Sequence, residues 1–99
     1  MHVMLTWEIQ AQGERWTAIN TQLKDTLKGY SWVRPLKTTY IVKVNSPEQR
    51  LELKTAIIDV IKAIPEKVNF TMTPPMEGGS YTGWLPKDMW EKINQRTKP

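Results

Sequence analysis

The chain has 99 residues, 39% hydrophobic and 24% charged, which is one domain with one core and an ordinary globular composition. It contains no cysteine, so a disulfide framework, thiolate zinc sites and cysteine nucleophiles are excluded. The net charge of +4 is unevenly placed: Arg15, Lys24, Lys28, Arg34, Lys37 and Lys43 face only Asp25 across residues 15–43, and the remainder sums to about zero.

Residues 3–9, VMLTWEI, alternate. Val3, Leu5, Trp7 and Ile9 share one side and Met4, Thr6 and Glu8 the other, the pattern of a half-buried strand. Gln10–Glu14 is a short connection. From Arg15 the period changes to steps of three and four. Trp16, Ile19, Leu23, Leu27 and Tyr30 form one helical stripe about four turns long, and Gly29 is the expected terminator.

Tyr30–Val44, YSWVRPLKTTYIVKV, is the most strand-like run. Pro35 cannot donate to a ladder, so a turn or bulge is expected at about Pro35–Lys37, with a strand on either side. Asn45–Gln49 reads as a helix start. Ser46 caps, Pro47 fits the first helical position, and Gln49 completes a capping box with Ser46. Leu53, Ile57, Val60, Ile61 and Ile64 make the apolar stripe, widened by Leu51 and Ile58, and Pro65 stops it.

Lys67–Thr73 alternates again, Val68, Phe70 and Met72 against Asn69, Thr71 and Thr73, and Pro74-Pro75 ends it. Glu77–Gly83 is a flexible glycine loop. Pro86–Asn94 is a short helix that must dock to persist, and Gln95–Pro99 a frayed tail.

The order strand, helix, strand, strand, helix, strand predicts an α+β fold: a ferredoxin-like sandwich over residues 1–75, with a four-stranded antiparallel sheet and both helices on one face. Residues 76–99 are a loop and helical appendage of the same domain. The open face is expected to carry Met4, Thr6, Glu8, Thr39, Ile41, Lys43, Asn69, Thr71 and Thr73. RNA-recognition motifs of this topology stack bases on open-face aromatics, but Trp7, Tyr40 and Phe70 fall on the core side.

The strand–connection–helix pattern resembles the small CRISPR-associated adaptation endonucleases and their SinR-like and VapD-like relatives, over about residues 1–75. The family's first strand ends in an acidic residue, and MLTWEI places Glu8 there. Its middle strands match YSWVRPLKTTYIVKV, and its fourth matches VNFTMTPP. The resemblance implies a homodimer built on the sheets, in a bacterial or phage setting. Some members cut nucleic acid with a metal held by paired aspartates, and others are scaffolds. Glu8 replaces the family's aspartate, which weighs against cleavage.

No convincing catalytic set is present, so the leading expectation is a non-enzymatic binding protein acting on nucleic acid or a nucleic-acid-handling partner. Arg34, Lys37, Lys43, Lys24 and Lys28 would supply the charge, with Trp32 among them, set against the reading of core aromatics and plain surface charge. Glu8 is the one candidate catalytic residue: either a divalent-metal ligand paired with its two-fold mate in a nuclease, or an exposed glutamate pairing with Lys43. No other cofactor is expected. Trp84, Leu85, Met89 and Trp90 are the candidate partner-binding cluster, as in a phage protein that inhibits a host enzyme; the alternative is cover for the chain's own sheet. His2 is expected to be a disordered or merely polar end. Ser31, Ser46 and Ser80 lack a recognisable base, and Gly78-Gly79-Ser80 lacks the lysine of a phosphate loop. No signal peptide or membrane-spanning run is visible, so the cytoplasm and no membrane contact are expected.

Overall fold

The computed structural model describes residues 1–79 and 81–98; Ser80 and Pro99 of the expected tail lie outside the described residues. The elements are β1 (His2–Ile9), α1 (Gly13–Asp25), β2 (Trp32–Leu36), β3 (Thr39–Lys43), α2 (Pro47–Lys62), β4 (Val68–Met72) and α3 (Lys87–Thr97). The strands form one antiparallel sheet in the order β2-β3-β1-β4, the ferredoxin-like arrangement with an added C-terminal helix.

Each helix start has a local cause. Ser46 is extended, and its hydroxyl accepts the Gln49 backbone N–H at 3.1 Å. The Gln49 side chain reaches back to the N–H of Asn45 at 2.6 Å rather than to that of Ser46, so the expected box closes one residue early. α1 ends sooner than the stripe implied. Its α-helical part stops at Asp25, and turns bonded Thr26 to Leu23 and Leu27 to Lys24 carry the chain to Gly29. Gly29 takes φ +90, where a side chain would be strained, so the terminator lies beyond the last helical turn. Leu27 stays fully buried although it has left the helix.

The register fixes the faces. Val3 stands opposite Val42 and Leu5 opposite Tyr40, on the helix side; Met4 opposite Ile41 and Thr6 opposite Thr39, on the other. Period-two alternation therefore works as the sequence indicated. The β2–β3 turn is Lys37–Thr38, and the irregularity at Pro35 is a register shift between Val33 and Leu36. The bend expected at Pro35–Lys37 is thus two features, because a strand can absorb a missing N–H at a bulge without ending.

The helix-side core joins Val3, Leu5, Trp7, Ile9, Ile19, Leu23, Leu27, Tyr40, Val42, Val44, Leu53, Ile57 and Val68. At its centre Trp7 stacks on Tyr40 with ring centroids 4.7 Å apart, and Trp32 meets Tyr40 edge-on at 5.5 Å. The Trp7 indole N–H donates to the Asn20 side-chain oxygen at 3.0 Å, which satisfies two buried polar groups together. On the opposite face Val33, Ile41 and Ile93 form a second core with Met4, Tyr81, Leu85, Met89 and Trp90.

α3 is therefore intramolecular cover. It runs three residues past the expected end, and the residues read as a frayed tail include Thr97, which is buried. Docking on the sheet supplies what a short amphipathic helix lacks in water.

Leu23 and Leu51 both fall on apolar helical positions, but Leu23 is fully buried and Leu51 is 51% exposed. Leu23→Ala is expected to lower unfolding free energy by about 2–5 kcal/mol and Leu51→Ala by less than about 0.5 kcal/mol, measured by urea denaturation.

Candidate interaction surface

The six cations of residues 15–43 do not form one patch. β1 runs from His2 to Ile9, and Lys43 stands opposite His2, at the end of the sheet where β1 begins. Lys24 lies in the last turn of α1 and Lys28 in the turns that follow it, where the chain has run back from the end of β1 to that same end. Lys28 lies 3.6 Å from Asp25. Arg34 and Lys37 lie at the opposite end, at the bulge and turn of β2 and β3.

Both of these residues are exposed, yet each has a contact on the helix side. Lys37 Nζ sits 4.4 Å from the centroid of the half-buried Trp16 ring. The Tyr40 hydroxyl is buried without a hydrogen-bond partner among the described residues. Burial raises its pKa, and the Arg34 guanidinium nearby offsets part of that rise. Trp32 is half-buried, with its ring edge-on to Tyr40. Arg15 is paired elsewhere: its guanidinium grips both carboxylate oxygens of Glu66, tying the start of α1 to the segment before β4.

The partner cluster divides. Leu85, Met89 and Trp90 are partly buried in the second core. Trp84 is not: it is 99% exposed, and Leu36 beside it is 60% exposed. Between them lies a cleft of about 220 Å³, lined by Pro35, Leu36, Ile41, Leu85, Trp90 and Ile93 among others. Pro35 and Leu36 are flanked in sequence by Arg34 and Lys37, so the cleft lies at the same end of β2 as these cations, whose own contacts are on the other, helix side of the sheet. The Trp90 ring packs beneath Gly83, 3.8 Å from where a Cβ would stand. The chain enters this region through Tyr81 and leaves it through Leu85, both packed inward, with Trp84 between them turned outward.

Glu8 is exposed on the open face opposite Asn69. It does not pair with Lys43, which lies at the far end of the sheet beside His2. Among the described residues no three histidine, aspartate or glutamate side chains converge as a metal site. Around Glu8 lies a shallow depression of about 400 Å³, with Thr6, Thr38, Asn69 and Thr71 on its walls. Thr39, Thr6 and Thr71 stand directly opposite one another on three adjacent strands, a neutral row on the open face.

His2 overturns its expectation. It is fully buried and opens β1, with its backbone paired to Met76 in both directions at 2.9 and 2.8 Å. Its Nε2 is 2.7 Å from the Tyr81 hydroxyl, and Nδ1 is buried without a partner among the described residues. The glycine loop is therefore fastened at Met76 and Tyr81, and Glu77 lies 3.5 Å from the Met1 ammonium. No local sequence signal marks this contact, because its partners are 79 residues apart.

Burial lowers the His2 pKa below 6.5; the Met1 ammonium lowers it further and Glu77 opposes both. The Tyr81 hydroxyl faces Nε2, and Lys43 stands opposite His2 in register. The folded chain thus resists a proton that the unfolded chain accepts. Stability is full above about pH 6.5 and is lost as pH falls through the range below it. Wild type is expected to lose more melting temperature between about pH 7.5 and about pH 5 than His2→Gln, followed by circular dichroism; equal losses would remove His2 as the cause.

Among the described residues no helix is long and apolar enough to cross a membrane. No protein-family model, curated protein or solved structure matches this chain.

Proposed function

We propose that this chain is a non-enzymatic binding protein that takes up single-stranded RNA or DNA at the Trp84 end of its sheet. The observation that carries the reading is Trp84. Its indole is 99% exposed, whereas Trp7 is buried and Trp16, Trp32 and Trp90 are half-buried. An exposed indole offers a stacking face to any unpaired base, and a nearby cationic edge holds the phosphates. Arg34 and Lys37 flank the cleft residues Pro35 and Leu36 in sequence, with their own contacts on the helix side of the same sheet end, and the net charge of +4 supplies long-range attraction. Base stacking on the sheet, as in RNA-recognition motifs, has no platform here, because Trp7 and Tyr40 are on the helix side and buried. The resemblance to CRISPR-associated and SinR-like proteins points to the same class of partner.

A second reading rests on the cleft itself. Its walls of Met4, Ile41, Leu85 and Ile93 are apolar, which suits a side chain of a host protein, with Trp84 and Leu36 as the rim.

Binding of a fluorescent single-stranded oligonucleotide, titrated at several salt concentrations, tests the first reading. Trp84→Ala is expected to weaken binding by about 1–3 kcal/mol. Arg34→Ala is expected to reduce the slope of log affinity against log salt by about 0.7. A chain that binds no oligonucleotide at low salt, or binds equally after Trp84→Ala, does not work this way. Absence of oligonucleotide binding together with a Trp84-dependent protein contact selects the second reading.

A further inference from the structure

The sheet has two outer strands, and they are built differently. β2 is a poor template for another strand: its pairing shifts between Val33 and Leu36, Pro35 lacks a donor, and Arg34 is exposed beside it. β4, Val68–Met72, carries no charge and no proline, and pairs with β1 over five consecutive positions without a shift.

The ladder shows where the β4 backbone points. Thr73 N–H donates to the Met4 carbonyl at 2.8 Å, and the Lys67 carbonyl accepts from Gln10 N–H at 3.0 Å. In an antiparallel strand the N–H and C=O of one residue point the same way, and successive residues alternate. Lys67, Asn69, Thr71 and the N–H of Thr73 therefore turn toward β1, and the Thr73 carbonyl accepts from Arg50 Nε at 3.1 Å. Val68, Phe70 and Met72 turn their donors and acceptors away from the sheet, to an edge that no strand among the described residues covers.

We infer that β4 is a self-association edge, at which two copies of this chain pair antiparallel about a two-fold axis through Phe70. With Phe70 opposite its own equivalent, Val68 meets Met72 of the second copy and Asn69 meets Thr71. All three outward residues then occupy hydrogen-bonded positions, and the pair closes about six N–H···O=C bonds. Apolar side chains meet on the helix side and neutral polar ones on the open side, with no like charges opposed. A one-residue slip sets outward groups against inward ones and loses the bonds. A longer slide toward Pro74 meets a residue with no donor. This self-complementarity selects a second copy over an unrelated strand, and it does not depend on what Trp84 binds.

The resulting eight-stranded sheet continues the row of Thr39, Thr6 and Thr71 across the axis into Asn69 and Glu8 of the second copy. It keeps the two Glu8 residues three strand spacings apart, at least about 14 Å, too far to share one metal ion. The contact is a single strand pair, smaller than a standard interface, so the dimer is expected to dissociate on dilution.

Sedimentation velocity on the full chain from about 1 µM to about 500 µM tests this. The mass is expected to rise with concentration from 11.5 kDa toward twice that value. Asn69 and Thr71 are both exposed, so substitutions there leave the core intact. Asn69→Lys with Thr71→Lys opposes two pairs of like charges and is expected to weaken the dimer about tenfold. Asn69→Lys with Thr71→Glu opposes unlike charges in the same register and is expected to restore it. Circular dichroism melting confirms that each variant is folded. A wild-type chain that stays at 11.5 kDa throughout overturns the inference. So does a dimer indifferent to the double lysine, or a charge-swapped variant that fails to recover.

Discussion

Strand β1 must be satisfied on four sides at once, and the remaining elements follow from that. Its odd residues fill the helix-side core, and its even residues face the opposite surface. Its backbone bonds β3 on one edge and β4 on the other. A strand so placed has no freedom of register, because a slip of one residue would move Val3, Leu5, Trp7 and Ile9 out of the core. Trp7 adds a polar constraint, since its indole N–H needs the Asn20 oxygen on α1. The first strand and first helix are therefore locked in rotation as well as in packing.

The face away from α1 and α2 is divided between two roles. α3 and the loop before it cover the β2–β3 half, through Ile93, Leu85 and Tyr81 over Val33 and Ile41. The β1–β4 half keeps its threonines, Glu8 and Asn69 open. Covering half a face leaves a step where the appendage ends, and the Trp84 cleft lies at that step. Tyr81, which also lines the Trp84 cleft, meets His2 at the start of β1, so that contact ties the surface that displays Trp84 to the buried beginning of the sheet.

Much of this was legible in the residues. Alternation along VMLTWEI and KVNFTMT reported which side chains enter the core, and steps of three and four did the same for α1 and α2. Ser46, Pro47 and Gln49 marked the helix start one residue at a time. The candidate surface was much less legible. Arg34, Lys37, Lys43, Lys24 and Lys28 are near in sequence, but one pass down a helix and one turn of a hairpin send them to opposite ends of the sheet. Trp84 and Trp90 look equivalent as composition, yet one is displayed and the other packed beneath Gly83. His2 looked like a loose end because nothing local announces a partner 79 residues away.

Element order, strand faces and fold class follow from the residues alone, because hydrophobic period and capping are local properties that each segment carries within itself. Which half of the open face α3 covers, the sharing of one cleft by Trp84 and Leu36, and the burial of His2 against Tyr81 follow from packing between distant segments. Those outcomes depend on how α3, with Tyr81 and Leu85 ahead of it, docks on a sheet assembled from the rest. That docking is a competition between surfaces, and no single stretch of the chain encodes it.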